Sequence, residues 1–231
     1  MTNKIIYIGS VEIEVTFKAI KNLHLSVHPP IGRVTIASPE FYDLEKVKIY
    51  AATKLNWIKR EQEKVRSQER EDPKLIITQE SHQFFGKRYL MKVIESKRSK
   101  LVLKHTTIEL YAVPEATLEQ KKKTLYNWYK KELEIKIGSL ILEYAKFMKI
   151  EGINFGIRKM KTKWGSCNIE RRMLWFNIEL AKKPIDCIEY IVVHELVHLL
   201  ERNHNKNFII LMDRFLPNWR LQKKILNELP L

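Results

Sequence analysis

Residues 184–204 read PIDCIEYIVVHELVHLLERNH, and this stretch decides the architecture. Pro184 opens a helix, where its fixed backbone angle suits the first turn. Ile188, Ile191, Val192, Leu196 and Leu199 then recur at three- and four-residue steps, the spacing of a buried helix face. Inside that face, His194-Glu195-Leu196-Val197-His198 sets two imidazoles at positions i and i+4. Such residues lie about 40° apart around the axis and one turn apart along it, so both rings can point at a single ion. Glu195 sits about 100° round from His194, beside the ion, where a carboxylate can hold and deprotonate a water.

Catalytic zinc takes three protein ligands and a water. His204 is the candidate third ligand, and it follows His198 in sequence after Leu199-Leu200-Glu201-Arg202-Asn203. On a continuous helix it would point about 120° away from the His198 direction, so the helix must end first and the chain must turn back. Arg202-Asn203 is the expected place, because Asn tolerates the left-handed conformation that ends helices. The spacing follows the metzincin pattern H-E-x-x-H-x-x-G-x-x-H, except that Glu201 stands where that pattern has glycine, and no Met-turn follows. A core helix with two incidental histidines is the bland alternative. The third histidine and the buried-helix context weigh against it.

Outward from this centre, Phe208–Phe215 reads as a short helix stopped by Pro217. Upstream, Ile153–Met160 and Met173–Ile178 read as strands around a turn-rich segment, Trp164-Gly165-Ser166-Cys167-Asn168. Before them a long helix opens at Thr117 and Gln120, which have capping-box spacing. Its apolar stripe runs Leu125, Trp128, Leu133, Ile137, Ile141, Tyr144 and Met148, and Gly152 is expected to close it. The first part alternates as sheet: Val11, Ile13, Val15, Phe17; Leu23, Leu25, Val27; then Val34 and Ile36 after the turn Pro29-Pro30-Ile31-Gly32. A helix is expected from Asp43 to near Asp72-Pro73, then strands near Leu75–Ile77 and Tyr89–Ile94, and a hairpin of Lys100–Leu103 with Thr107–Val113. No internal repeat is visible in the sequence. The reading is α+β: a small N-terminal antiparallel sheet with a helix over 1–114, then a zincin-like helical catalytic core with a small sheet over 115–231.

The chain has 231 residues, with 42 Lys and Arg against 27 Asp and Glu, a formal charge of +15. That excess attracts anions, among them nucleotides and nucleic acid, although the basic residues are spread over the whole chain as on a solvated surface. No apolar run approaches the roughly 20 residues of a membrane span. The alternating N-terminus carries no apolar signal region, and two cysteines, Cys167 and Cys187, make no disulfide scaffold. A reducing cytoplasm is the expected location.

The run Arg158-Lys159-Met160-Lys161-Thr162-Lys163-Trp164-Gly165-Ser166-Cys167, the helix motif His194–His198, Asn203-His204 and the tail from Phe208 to Pro217-Asn218-Trp219-Arg220 together resemble the YgjP-like zinc metallopeptidases, relatives of the SprT-like group. Gly86-Lys87-Arg88-Tyr89 and Trp57-Ile58 extend the likeness weakly toward the N-terminus. Thr162 and Lys163 stand where the family often has Ser and Arg. The resemblance implies zinc held by His194, His198 and His204, with Glu195 as general base. It implies a peptidase, and also brings a nucleotide pyrophosphatase activity on UTP that is attached to the YgjP name.

Three hydrolase readings follow. The first is a peptidase acting on peptide or protein substrates. The second is a metal-dependent phosphohydrolase, with Arg158, Lys161 and Lys163 as substrate-binding residues for the phosphates. The third is a SprT-like protease recruited to nucleic acid through the basic surface, with salt-sensitive binding as its mark. A non-enzymatic structural zinc module is the bland alternative, and the open coordination position that three ligands beside a glutamate leave weighs against it. Cys167 and Trp164 read as structural, Gly165 as a tight turn, and Ser166 lacks a paired base. Glu189, Asp186 and Asp213 are candidates to orient the imidazoles. Met173–Ile178 is expected to be an edge strand able to pair with an extended peptide, and His24, His28, His82 and His105 read as surface or loop residues.

Overall fold

The computed structural model describes residues 3–28, 31–67 and 74–229. Pro29 and Pro30 of the expected turn, and Asp72-Pro73 at the expected helix end, lie outside them. The described residues form two compact units, 3–67 and 74–229.

In the first unit β1 (Asn3–Ile8), β2 (Val11–Lys18), β3 (His24–His28) and β4 (Arg33–Pro39) form a sheet of order β1-β2-β4-β3. The alternation puts Val11, Ile13 and Val15 of β2 and Val34 and Ile36 of β4 on one buried face. The sheet is mixed, not purely antiparallel: β2 and β4 pair parallel in its middle. The long connection through β3, which returns antiparallel to β4, makes that parallel pair reachable. α1 (Leu44–Thr53), capped by the Asp43 side chain on the Lys46 amide, and α2 (Leu55–Ser67) stand where one helix was expected; the break falls at Lys54. Val47, Ala51 and Ile58 from these helices join the sheet residues in a closed core.

The second unit opens with Leu75–Ile77 as irregular chain. Ile76 takes a positive φ of 54°, which no strand accommodates, and the Glu80 carboxylate accepts from the amides of Leu75 and Ile76. β5 (Ser81–Phe84), β6 (Lys87–Glu95), β7 (Lys100–Leu103) and β8 (Thr107–Ala112) form a sheet of order β5-β6-β8-β7. α3 (Leu118–Met148) starts on the expected Thr117–Gln120 capping box. It ends at Lys149, left-handed at φ 56°, ahead of Gly152. β9 (Asn154–Arg158), β10 (Gly165–Asn168) and β11 (Met173–Asn177) form a three-stranded sheet, and a 3-10 turn (Ile178–Lys182) leads to α4 (Ile185–Val197), α5 (Lys206–Phe215) and α6 (Trp219–Glu228).

One core joins these elements. Met91, Ile108 and Leu110 of the second sheet share it with Leu125, Leu133 and Ile137 of α3 and with Ile188, Val192 and Leu196 of α4. The division expected at residue 114 therefore does not match the compact units: residues 81–112 pack with the helices that follow them. The β5–β6 turn also grips the start of α4. The amides of Phe85 and Gly86 donate to the carbonyls of Ala181 and Lys182 at 2.8 and 3.3 Å. A Cβ at Gly86 would lie 2.8 Å from Pro184 Cα, so only glycine permits the approach.

Candidate metal centre

α4 is apolar around most of its circumference, and Ile188, Val192, Val193, Leu196 and Val197 are buried. His194 and His198 share one face. The helix ends at Val197, earlier than expected, yet His198 keeps helical angles (φ −63°, ψ −20°), so the i, i+4 relation survives. The chain then tightens, with the Leu200 and Glu201 amides both donating to the Val197 carbonyl at 2.9 and 2.8 Å. The Glu201 side chain accepts from the Asn203 amide at 3.2 Å. Glu201 is not among the residues with positive φ, so the turn has no need of the glycine that the metzincin pattern carries there. Asn205 caps α5 by accepting from the Phe208 amide at 3.1 Å, and this brings His204 back over α4.

The three imidazoles converge. One ring nitrogen from each of His194, His198 and His204 lies within 4.8 Å of the others, and the facing Nε2 atoms of His194 and His204 are 3.0 Å apart. Two nitrogens on one tetrahedral zinc, at bonds of about 2.0–2.1 Å, would stand about 3.3 Å apart. Burial first, then His198, His204 and Lys223, lowers the His194 pKa to about 3, so its ring is neutral with a lone pair to offer. Its Nδ1 is buried with no hydrogen-bond partner. Burial also lowers the pKa of His198, against the carbonyls of Glu201 and Arg202, which act upward. Three imidazoles facing one point fit a divalent transition metal.

Glu195 is only 5% exposed and faces β10. A Cβ on Gly165 would lie 2.6 Å from Glu195 Oε1 and 2.7 Å from its Cγ. Gly165 is thus the wall against which this carboxylate rests, in a strand and not in the tight turn expected there: residues 165–168 pair antiparallel with β11. Burial pushes the Glu195 carboxyl up to about 8, with Lys163 opposing. Cys167, on the same strand, is pushed up to about 11 by burial and then by Glu195; it lies outside the metal-competent cluster.

The basic residues singled out from sequence stand in different surroundings. Lys163 is near enough to Glu195 to influence its charge. Arg158 stacks its guanidinium 4.6 Å over the Trp175 ring, and exposed Lys161 makes no hydrogen bond or ion pair among the described residues. None of the three suggested orienting carboxylates reaches an imidazole: Glu189 accepts from the Tyr144 hydroxyl at 2.8 Å, Asp213 accepts from Trp219 Nε1 at 2.8 Å and from Arg220, and Asp186 is exposed. β11 is the central strand of its sheet, because β9 pairs with its other side; the strands with a free edge are β9 and β10. His82 is buried at 3% exposure, not on the surface, where it pairs with Glu80 at 2.7 Å. Sequence reading passed over the aromatic side of the centre. Phe208 and Tyr190 both stand four residues from a site histidine, a helical spacing that could have flagged them.

The family model described as YgjP-like, metallopeptidase domain, matches residues 21–229. The chain belongs to that family. It is accordingly a metal-dependent hydrolase of the metallopeptidase class, the YgjP-like domain spanning both compact units. No curated protein matches the chain. Among solved structures, the metallopeptidase zymogen abylysin of Pyrococcus abyssi is similar over 38% of this chain and 87% of that one, at 18% identity and a TM-score of 0.35. Jannalysin of Methanocaldococcus jannaschii, also a metallopeptidase zymogen, is similar over 40% and 93%, at 20% identity and a TM-score of 0.32. Among the described residues no helix is long and apolar enough to cross a membrane.

Proposed function

We propose that this chain is a zinc-dependent metallopeptidase in which His194, His198 and His204 hold the ion and Glu195 activates the attacking water. The observation that carries the reading is the convergence of three imidazoles beside a glutamate buried against Gly165. Zinc held there would polarise the scissile carbonyl and make a water acidic enough to ionise near pH 7. The charge of such an ion would hold Glu195 ionised against the burial that otherwise pushes it up to about 8. The carboxylate would take the proton of the water attacking the carbonyl carbon. It then delivers the proton to the leaving amine as the peptide bond breaks, so the carboxylate ends as it began. The wall at Gly165 keeps the carboxylate from swinging away from the imidazoles.

An extended peptide has a place to lie. β10 has a free edge and carries Gly165, so a substrate strand added to that edge would run past Glu195. Lys163, just before β10, would draw an acidic group of the substrate toward the same spot. The phosphohydrolase reading needs several cations around the reacting phosphates. The stacking of Arg158 on Trp175 favours the peptidase, because that guanidinium is already engaged.

The test is to incubate zinc-loaded protein with an unfolded protein and with nucleoside triphosphates, beside a Glu195→Gln control, and to read products by mass spectrometry. Peptide fragments from the wild type, with turnover reduced at least about 10²-fold in Glu195→Gln at unchanged zinc content, are expected. Nucleoside monophosphate with pyrophosphate and no peptides would move the function to phosphorus chemistry.

A further inference from the structure

Metal-binding histidines are ordinarily oriented by hydrogen bonds from their far ring nitrogens to carboxylates, carbonyls or water. Here such support is thin. His194 Nδ1 is buried and unpartnered, and among the described residues no carboxylate is hydrogen-bonded to any of the three rings. Among the described residues, His198 alone has a carbonyl acceptor, at Glu201 3.3 Å from its Nδ1 and at Arg202.

One side chain touches all three imidazoles. The ring centroid of Phe208 lies 5.0 Å from that of His194, 4.9 Å from His198 and 4.6 Å from His204. It meets His194 and His204 edge-on, at 68° and 71°, and His198 at a tilt of 40°. These separations and angles are those that aromatic pairs prefer. Phe208 is 2% exposed and belongs to the main core, so it cannot move without disturbing that core. Its backbone is pinned as well, since its amide donates to the cap residue Asn205, which directly follows His204.

We infer that Phe208 is the positioning residue of the metal centre: one buried ring, contacting His194, His198 and His204 together, sets their orientation, with carbonyl hydrogen bonds assisting at His198. This rests on the three histidines being the metal ligands. The start of α5 then does two things with one cap. It returns His204 to the site, and one helical turn later it sets the ring against which all three imidazoles stand.

The experiment measures the dissociation constant of Co2+ by competition with a chelator, and the visible Co2+ spectrum, for the full chain and for Phe208→Leu, Phe208→Ala and Phe215→Leu. Phe208→Leu keeps an apolar side chain of similar bulk but has no ring. Phe215 is buried in the same helix and packs on Phe147, so Phe215→Leu reports a core defect that touches no imidazole. Loss of orientation should weaken Co2+ binding about tenfold in Phe208→Leu and up to about 100-fold in Phe208→Ala, the range found when groups orienting a metal's ligands are lost. Phe215→Leu should bind as the wild type does. Wild-type affinity and spectrum in Phe208→Leu would overturn the inference, and so would an equal loss in Phe215→Leu. Absence of Co2+ binding by the wild-type chain would instead sink the three-histidine reading on which it rests.

Discussion

The first sheet, β1-β2-β4-β3, and the second, β5-β6-β8-β7, share a strand order and a pattern of pairing: an antiparallel hairpin, a parallel central pair, an antiparallel outer pair. Both begin with a two-residue turn, Gly9-Ser10 in one and Phe85-Gly86 in the other. Gly9 alone has positive φ, at 59°, as a type II′ turn requires, whereas Phe85 and Gly86 are both positive, at 47° and 75°, as in type I′. No residue pattern repeats between them, so the likeness is one of connection and pairing. The uses differ. The first sheet closes its core with α1 and α2. The second lays Met91, Ile108 and Leu110 into the core that also holds α3 and the histidine-bearing helix α4. A sheet's part is thus set by what its apolar face meets, and the same topology closes a self-contained core in one place and joins the core of the histidine-bearing helix in the other.

Truncating each core is the strongest way to break this comparison. Leu110→Ala and Ile36→Ala should each cost about 2–5 kcal/mol, as buried large-to-small changes do. In thermal unfolding, Leu110→Ala should lower the transition that added Zn2+ raises, and Ile36→Ala should leave Co2+ affinity unchanged. Equal loss of Co2+ affinity in both variants would show that the two cores are not independent.

A finer test stays inside the second unit. Gly165→Ala puts a methyl group where the Glu195 carboxylate sits, and should lower kcat about 10²-fold at unchanged zinc content, the scale of a 1 Å misplacement. A wild-type rate would mean that Glu195 has another productive position.

The smallest effect concerns pH. Burial, and behind it Lys74 and Lys182, lowers the pKa of His82 below its ordinary 6.5, although Glu80 pulls upward. Burial acts upward on Glu80, but the amides of Leu75 and Ile76 and the His82 ring hold it below 4.5. Both groups bind fewer protons folded than unfolded, so both favour the fold at higher pH. The His82 contribution is constant above pH 6.5 and falls away as pH drops below it; that of Glu80 is lost below pH 4.5. His82→Gln should therefore flatten the decline of the melting temperature between those two values. An unchanged slope would place that acid sensitivity elsewhere.

Much was legible from residues alone, because it depends on neighbours in the chain. The spacing of His194 and His198 needs only helical geometry, the capping box at Thr117 and Gln120 only four residues, and the alternation of β2 only the pleat. Even the need for a turn before His204 follows from rotation along a helix. Tertiary structure decided the rest. Gly165 reads as a turn residue, yet it lies in β10 against Glu195, and Met173–Ile178 reads as an edge strand, yet β9 pairs with its other side. His82 reads as a surface or loop residue but is buried, and Phe208 reads only as the start of a short helix but meets three imidazoles. Periodicity is written by local backbone geometry and can be read from one segment. Which faces meet depends on contacts between residues far apart in sequence, and those exist only once the chain has packed.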